Sequence, residues 1–248
     1  MNLDYKVIPV GERAIMIDFP EKIDVAQNQL IHALADELKK LNKAEIMDLI
    51  PAYHTLTIDF DPFQTDFQAF KFWVQDFLAA HLAEAKKTIL KRVVEIPVCY
   101  GGKFGPDLID VAKFAGVTTD EVIKMHTSQL YYIYLLGFLP GFAYAGFVED
   151  QIAMPRLAKP RLKIPAGSVG IAGKQTGMYP VTSPGGWRLI GQTPLKLYDP
   201  KSPVPFYHAG DWLKFIAVSV AEFEKIKQQA IRGDYQFKTY IKKDRGEE

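Results

Sequence analysis

Apolar positions in the first hundred residues follow two periods. AIMIDF (14–19) alternates as a strand does, and HTLTIDF (54–60) alternates more strictly. In VAQNQLIHALADELKKL, Leu30, Leu34, Leu38 and Leu41 recur at three- and four-residue spacing, which predicts an amphipathic helix capped by Asp24. EIMDLIPAYHTLTIDF (45–60) reads as two strands turning near Pro51 and Ala52. Asp66 caps a second helix, FQAFKFWVQDFLAAHLAEA, and KRVVEIPVCY (91–100) is strand again. The order β-α-β-β-α-β is that of a ferredoxin-like unit.

Beyond residue 100 the pattern changes. Pro106 and Asp107 mark a helix start, and Thr118 with Glu121 forms a capping-box sequence ahead of a second short helix. Short apolar runs follow: YYIYLLGFL, SVGIAG, GMYPVTS, WRLIGQT, LKLYD and WLKFIAV. Gly and Pro punctuate them. Ten of the 16 prolines lie between Pro140 and Pro205, and ten of the 18 glycines between Gly137 and Gly191. Many short strands at turn-rich spacing predict a small closed β-barrel, with two helices before it and one, VAEFEKIKQQAI, after it. The expected organisation is a first domain over 1–92, a barrel over 93–232 and a solvated tail over 233–248.

Composition narrows the function. Thirty basic and 29 acidic residues, with no long basic block, disfavour nucleic-acid binding. No apolar run approaches the ~20 residues of a membrane span, and the first residues do not read as a signal peptide. A single cysteine, Cys99, excludes an intrachain disulfide and a thiolate zinc cluster. A cytoplasmic protein is the simplest expectation. His32, His54 and His81 are scattered over different elements, so no metal site is expected.

Four stretches carry candidate chemistry. GSVGIAGKQTG (167–177) resembles a phosphate loop but fails as one. A Walker frame set by Gly173-Lys174 puts Ser168 where Gly belongs and Gln175 where Ser or Thr belongs, and the prolines downstream allow no helix. A barrel corner explains its glycines but not Lys174, Gln175 and Thr176. HTSQLYYIYLLGFLPGFAYAGF (126–147) holds seven aromatics in 22 residues; Phe138, Phe142, Tyr144 and Phe147 surround a Pro-Gly turn and form either a pocket wall or a core plug. In MPRLAKPRLKIPAGS (154–168), Arg156 and Arg161 each follow a proline and are anion-site candidates, while Lys159 reads as a solvated edge. In TSPGGWRLIGQT (182–193), Trp187 lines a groove or fills a core, and neither Ser168 nor Ser183 stands in a nucleophile motif.

CYGGKFGPDLIDVA, YYIYLLGFLPGFAYAGF, PRLAKPRLKIPAGSVGIAGKQTGMYPVTSPGGWRLIGQTP and FYHAGDWLKFI together resemble the bacterial family of the 5-oxoprolinase B subunit. That family also includes the Kip inhibitor of a sporulation sensor kinase and allophanate hydrolase subunit 1. The resemblance implies an α+β chain, with a ferredoxin-like βαββαβ domain followed by a cyclophilin-like barrel. It implies a hydrolase subunit, inactive alone, that works with subunits C and A to open 5-oxoproline to glutamate using ATP. On that reading the substrate carboxylate suits Arg156 or Arg161, and its amide suits Gln175 or Tyr179. Its ring suits Phe142, Tyr144 or Trp187, Ser168 lies within the site, and Lys174 neutralises developing charge. Gln192 departs from the arginine usual at its position, which puts a ligand role there in doubt. Three other readings stand beside it: an inhibitor that binds a histidine kinase through a surface alone, a subunit of an allophanate or urea-amide hydrolase system, and a peptide-binding or prolyl-isomerase barrel.

Overall fold

A computed structural model describes residues 4–82 and 91–242. The chain divides into two compact units, 1–89 and 90–248.

In the first unit β1 (Lys6–Pro9), β2 (Ala14–Asp18), β3 (Ile46–Pro51) and β4 (Thr55–Phe60) form an antiparallel sheet in the order β1-β2-β4-β3. Ile15 pairs with Ile58 and Ile17 with Leu56 across β2 and β4, so alternation sends all four to one face. There they join Ile31, Leu34 and Leu38 of α1 (Val25–Lys40) and Phe70, Val74 and Phe77 of α2 (Phe67–His81). Asp24 and Asp66 cap these helices through their carboxylates, as expected. Asn28 of α1 donates to the Ala52 carbonyl at 2.7 Å and pins the β3–β4 turn to the helix.

This is a ferredoxin-like layering with one correction. The described elements run β-β-α-β-β-α, and the fourth strand is Lys6–Pro9, not 91–100. KRVVEIPVCY instead forms β5 (Lys91–Tyr100) of the second unit. Val93, Val94, Ile96, Val98 and Cys99 are all buried, a nearly unbroken apolar run that an interior barrel strand needs and an edge strand does not.

In the second unit β6 (Tyr131–Leu136), β7 (Ala143–Gly146), β9 (Ser168–Ala172), β10 (Gln175–Met178), β12 (Arg188–Gln192) and β13 (Trp212–Ala217) join β5. Their order is β12-β9-β10-β7-β6-β13-β5, and pairing of Gly191 and Gln192 with Tyr100 and Cys99 closes seven strands into a cyclophilin-like barrel. Among the described pairings only that of β5 with β13 is parallel. Val94, Ile96, Ile133, Val169, Ile171, Met178, Ile190, Leu213 and Phe215 fill the interior. Leu108 and Val111 of α3 (Leu108–Ala115) and Val122 of α4 (Thr119–Ser128) join the same core. Thr118 and Glu121 complete the expected capping box. A separate two-stranded sheet pairs β8 (Arg161–Ile164) with β11 (Ser183–Gly185).

Two details differ from expectation. LKLYD is not a strand: Leu195 and Leu197 are buried in the barrel core, but Pro194 and Pro200 bracket the segment and a turn closes on Asp199. After α5 (Val220–Arg232), Thr239–Lys242 is not free tail but β14, antiparallel to the first four residues of β5. β12 occupies that edge of β5 only at Cys99 and Tyr100, which leaves the other end open to a further strand. Residues 243–248 of the expected tail lie outside the described residues. No described helix is long and apolar enough to cross a membrane.

Candidate functional site

GSVGIAGKQTG is a β-hairpin. Ala172 of β9 pairs with Gln175 of β10, leaving Gly173 and Lys174 as a two-residue turn in which Gly173 takes φ +59°. A strand follows the lysine, where a phosphate loop would have a helix N-terminus. The Lys174 ammonium meets the Asp150 carboxylate at 2.8 Å, both well exposed. The segment therefore does not fit the phosphates of a nucleotide, and no step through ATP is assigned to it. Gln175 is half-buried beside Gly146 of β7, and Thr176 turns into the barrel.

Two glycines of the same hairpin shape the next feature. Gly170 and Gly177 face each other across β9 and β10. A Cβ on Gly177 would lie 3.0 Å from the Trp187 ring and 2.5 Å from the Ala143 carbonyl oxygen; one on Gly170 would lie 3.2 Å from the Trp187 Cβ. Bare backbone thus forms a floor for the indole. Phe142, Tyr144 and Tyr179 surround it with ring centroids 4.8–6.4 Å apart, mostly edge to face, and Ile164 of β8 closes over them. Phe142 and Trp187 fill a core and do not line an open pocket or groove, and Tyr179 is buried with them, all at 4% exposure or less. Tyr144 is half-buried at the rim, and Phe138, with φ +66°, stands 62% exposed on the β6–β7 loop. That loop is tied down where the Tyr207 hydroxyl donates to the Gly141 carbonyl at 2.5 Å.

The two arginines differ. Arg161 donates to Asp107 at 2.6 Å and to the Trp187 carbonyl at 3.5 Å. The other Asp107 oxygen accepts from the Leu189 backbone at 2.7 Å, and Asp107 is 4% exposed. Asp107 therefore braces β8 to β12 instead of capping α3, and Arg161 is engaged by it. Arg156 is exposed and has no carboxylate partner among the described residues. Its charge reaches the aromatic rim: burial pushes the Tyr144 phenol up while Arg156 opposes the shift. Burial likewise raises the Tyr179 phenol, against a hydrogen bond with the Trp187 backbone and the pull of Arg156 and Arg161.

Arg156, Tyr144, Tyr179, Phe142, Trp187 and Arg161 thus gather at one patch outside the barrel. Lys174 does not join them. It precedes Gly177, the partner of Tyr144, by three positions along β10, about 10 Å at strand rise. Ser168 is 2% exposed within β9. Gln192 donates to the Ala166 carbonyl at 2.7 Å and holds the turn before β9, a structural use of the residue that departs from the family pattern. Among the described residues no group of three or more His, Cys, Asp or Glu could hold a metal.

The sequence reading passed over a buried triad. His126 of α4 is fully buried inside the barrel, its Nδ1 2.8 Å from the Tyr100 hydroxyl and its Nε2 2.9 Å from Thr176 Oγ1. Thr176 donates onward to the Gly170 carbonyl, so Nε2 carries the proton and Nδ1 accepts from Tyr100. Burial lowers the His126 pKa to about 3, so the ring is neutral. The available signal was position: His126 lies four residues after Val122, on the apolar face of α4.

Comparison with known proteins covers both units. The family described as carboxyltransferase domain, subdomain C and D, matches residues 5–208. The 5-oxoprolinase B subunit of Bacillus subtilis (strain 168) is 41% identical over 93% of this chain and 100% of its own length. That of Haemophilus influenzae is 38% identical over 86% and 98%. The crystal structure of the Kluyveromyces lactis urea amidolyase shares the fold, with a TM-score of 0.74 at 17% identity, over 97% of this chain and 16% of that one.

Proposed function

The chain belongs to the family of the 5-oxoprolinase B subunit, within the carboxyltransferase subdomain C and D family, and from that premise we propose that it is the B component of an ATP-dependent 5-oxoprolinase acting with subunits A and C. In the proposed reaction one water adds across the lactam C–N bond of 5-oxoproline to give glutamate, coupled to hydrolysis of ATP by a second water to ADP and phosphate. The observation that carries the reading is coverage: the match to the Bacillus subtilis relative runs over the whole of that protein and nearly all of this chain.

Within this reading Arg156 is the carboxylate anchor. It is the exposed guanidinium beside the aromatic patch, and a carboxylate can take two parallel N–H bonds from it. Tyr144, half-buried at the rim, offers a hydroxyl and a ring face to the lactam. Phe142, Tyr179 and Trp187 support that rim from beneath, and Arg161 with Asp107 holds β8 in place. Lys174 and Gln175, at the far end of the hairpin, act only on a group delivered by another subunit. ATP handling is assigned to the complex, since this chain's lysine loop is a strand turn.

Co-expression of the chain with subunits A and C from the same genome tests the reading. ATP-dependent loss of 5-oxoproline that requires this chain is expected; turnover without it, or none with all three, overturns the proposal. In the active complex Arg156→Ala is expected to raise KM by about tenfold or more, the worth of one charge-assisted hydrogen bond. An unchanged KM removes Arg156 from the site.

A further inference from the structure

Charge is distributed unevenly along the chain. Of its 30 basic and 29 acidic residues, eight basic and one acidic fall between residues 154 and 205. Three of those cations are held by carboxylates: Arg161 by Asp107, Lys174 by Asp150 and Lys196 by Asp199. Arg156, Lys159 and Lys163 are exposed and have no carboxylate partner among the described residues. They lie within eight positions of one another, around β8. In their midst Leu162 is 91% exposed. Pro160 and Pro165 bracket the strand, so its backbone is ordered before anything binds. Among the described residues β8 pairs with β11 alone, outside the barrel sheet.

Three uncompensated like charges repel one another, and an apolar side chain at such exposure leaves its surface in water. One kind of neighbour relieves both: a protein surface with carboxylates around a small apolar pocket. A nucleic acid or an anionic membrane is a poorer match. Either would present long runs of negative charge, and outside 154–205 this chain carries more acidic than basic residues, which would repel them. We propose that the β8–β11 sheet and the segment leading into β8, through Lys159, Lys163 and Leu162, are the docking surface for an acidic face of a partner subunit. The inference rests on the multi-subunit reading above and names the surface by which this chain enters the assembly.

The test uses the full chain with purified subunits A and C from the same genome. Binding is measured by calorimetry from about 50 to about 300 mM salt, alongside 5-oxoproline turnover. The double variant Lys159→Glu/Lys163→Glu is expected to weaken assembly by about tenfold or more and to flatten its salt dependence. Leu162→Ala is expected to weaken assembly with the salt dependence intact, since it removes apolar contact only. Thermal melting of the free variants stays as in the parent, because all three side chains are exposed. Assembly of both variants at parental affinity overturns the docking surface while leaving the enzyme reading in place. Assembly of the parent without turnover overturns the enzyme reading, and the variants still decide the surface. Failure of the parent chain to assemble overturns both. Binding to DNA or phosphatidylglycerol vesicles that these substitutions abolish, with assembly untouched, also overturns it.

Discussion

His126 shows how one buried side chain sets a pH limit on the fold. Its neutral ring bridges Tyr100 and Thr176 inside the barrel, with a pKa lowered to about 3 by burial. In the unfolded chain a histidine titrates near 6.5. The unfolded state therefore takes up the proton first, and the stability tied to His126 is complete above about pH 6.5 and falls away as pH drops towards 3, by up to ~1.4 kcal/mol per pH unit. Denaturant unfolding at several pH values should show this slope, and His126→Gln, which keeps a donor and an acceptor, should flatten it; an unchanged slope would locate the pH sensitivity elsewhere. Asp107 and Arg161 make a second residue-scale case. Both residues were legible in the sequence, but as a helix-start signal and a ligand, since spacing cannot reveal that residues 54 positions apart meet at 2.6 Å. Asp107→Asn is expected to lower stability by about 1–3 kcal/mol, because it weakens the bonds to Arg161 and to the Leu189 backbone. A calorimetric melting temperature equal to the parent's would show that the brace contributes nothing.

At the scale of elements, strands and helices were readable where apolar period and caps agreed. Asp24, Asp66 and the Thr118–Glu121 pair cap their helices, and AIMIDF and HTLTIDF are neighbours in one sheet. What the pattern could not give was partnership. KRVVEIPVCY is unmistakably a strand, yet nothing in its alternation says that its neighbour is Trp212–Ala217 instead of Ala14–Asp18. Lys6–Pro9, only four residues long and partly exposed, was too weak a signal to claim the edge it fills. The aromatic patch was likewise visible as a cluster, while its burial depended on two glycines facing each other across a hairpin. Gly177→Ala should test that arrangement. The new methyl group meets both a carbonyl oxygen and the Trp187 ring, so a loss of about 1–3 kcal/mol is expected, together with a shift in Trp187 emission read in a Trp73→Phe/Trp212→Phe background. Parental stability and emission would mean that the indole does not rest on that floor.

For the whole molecule, the two units differ in how far apart their partners lie in the chain. Every described strand pairing in the first unit falls between residues 6 and 60, whereas the second unit joins Val93 to Trp212 and Lys91 to Lys242. Folding slows as contacts become less local. Refolding followed by tryptophan fluorescence is expected to show a faster phase from Trp73 in α2 and a slower one from Trp187 and Trp212, with Trp73→Phe removing the fast amplitude; a single phase common to all three would contradict this. The parallel pairing of β5 with β13 has a further consequence during synthesis. β5 emerges from the ribosome long before the strand that must lie beside it, and longer still before β14 covers its other edge. The nascent chain thus carries a finished first unit and, behind it, an apolar strand open on both sides until translation is almost complete. That interval is when the protein most needs a chaperone's cover, and a ribosome stalled before codon 212 would release a fragment able to aggregate through β5.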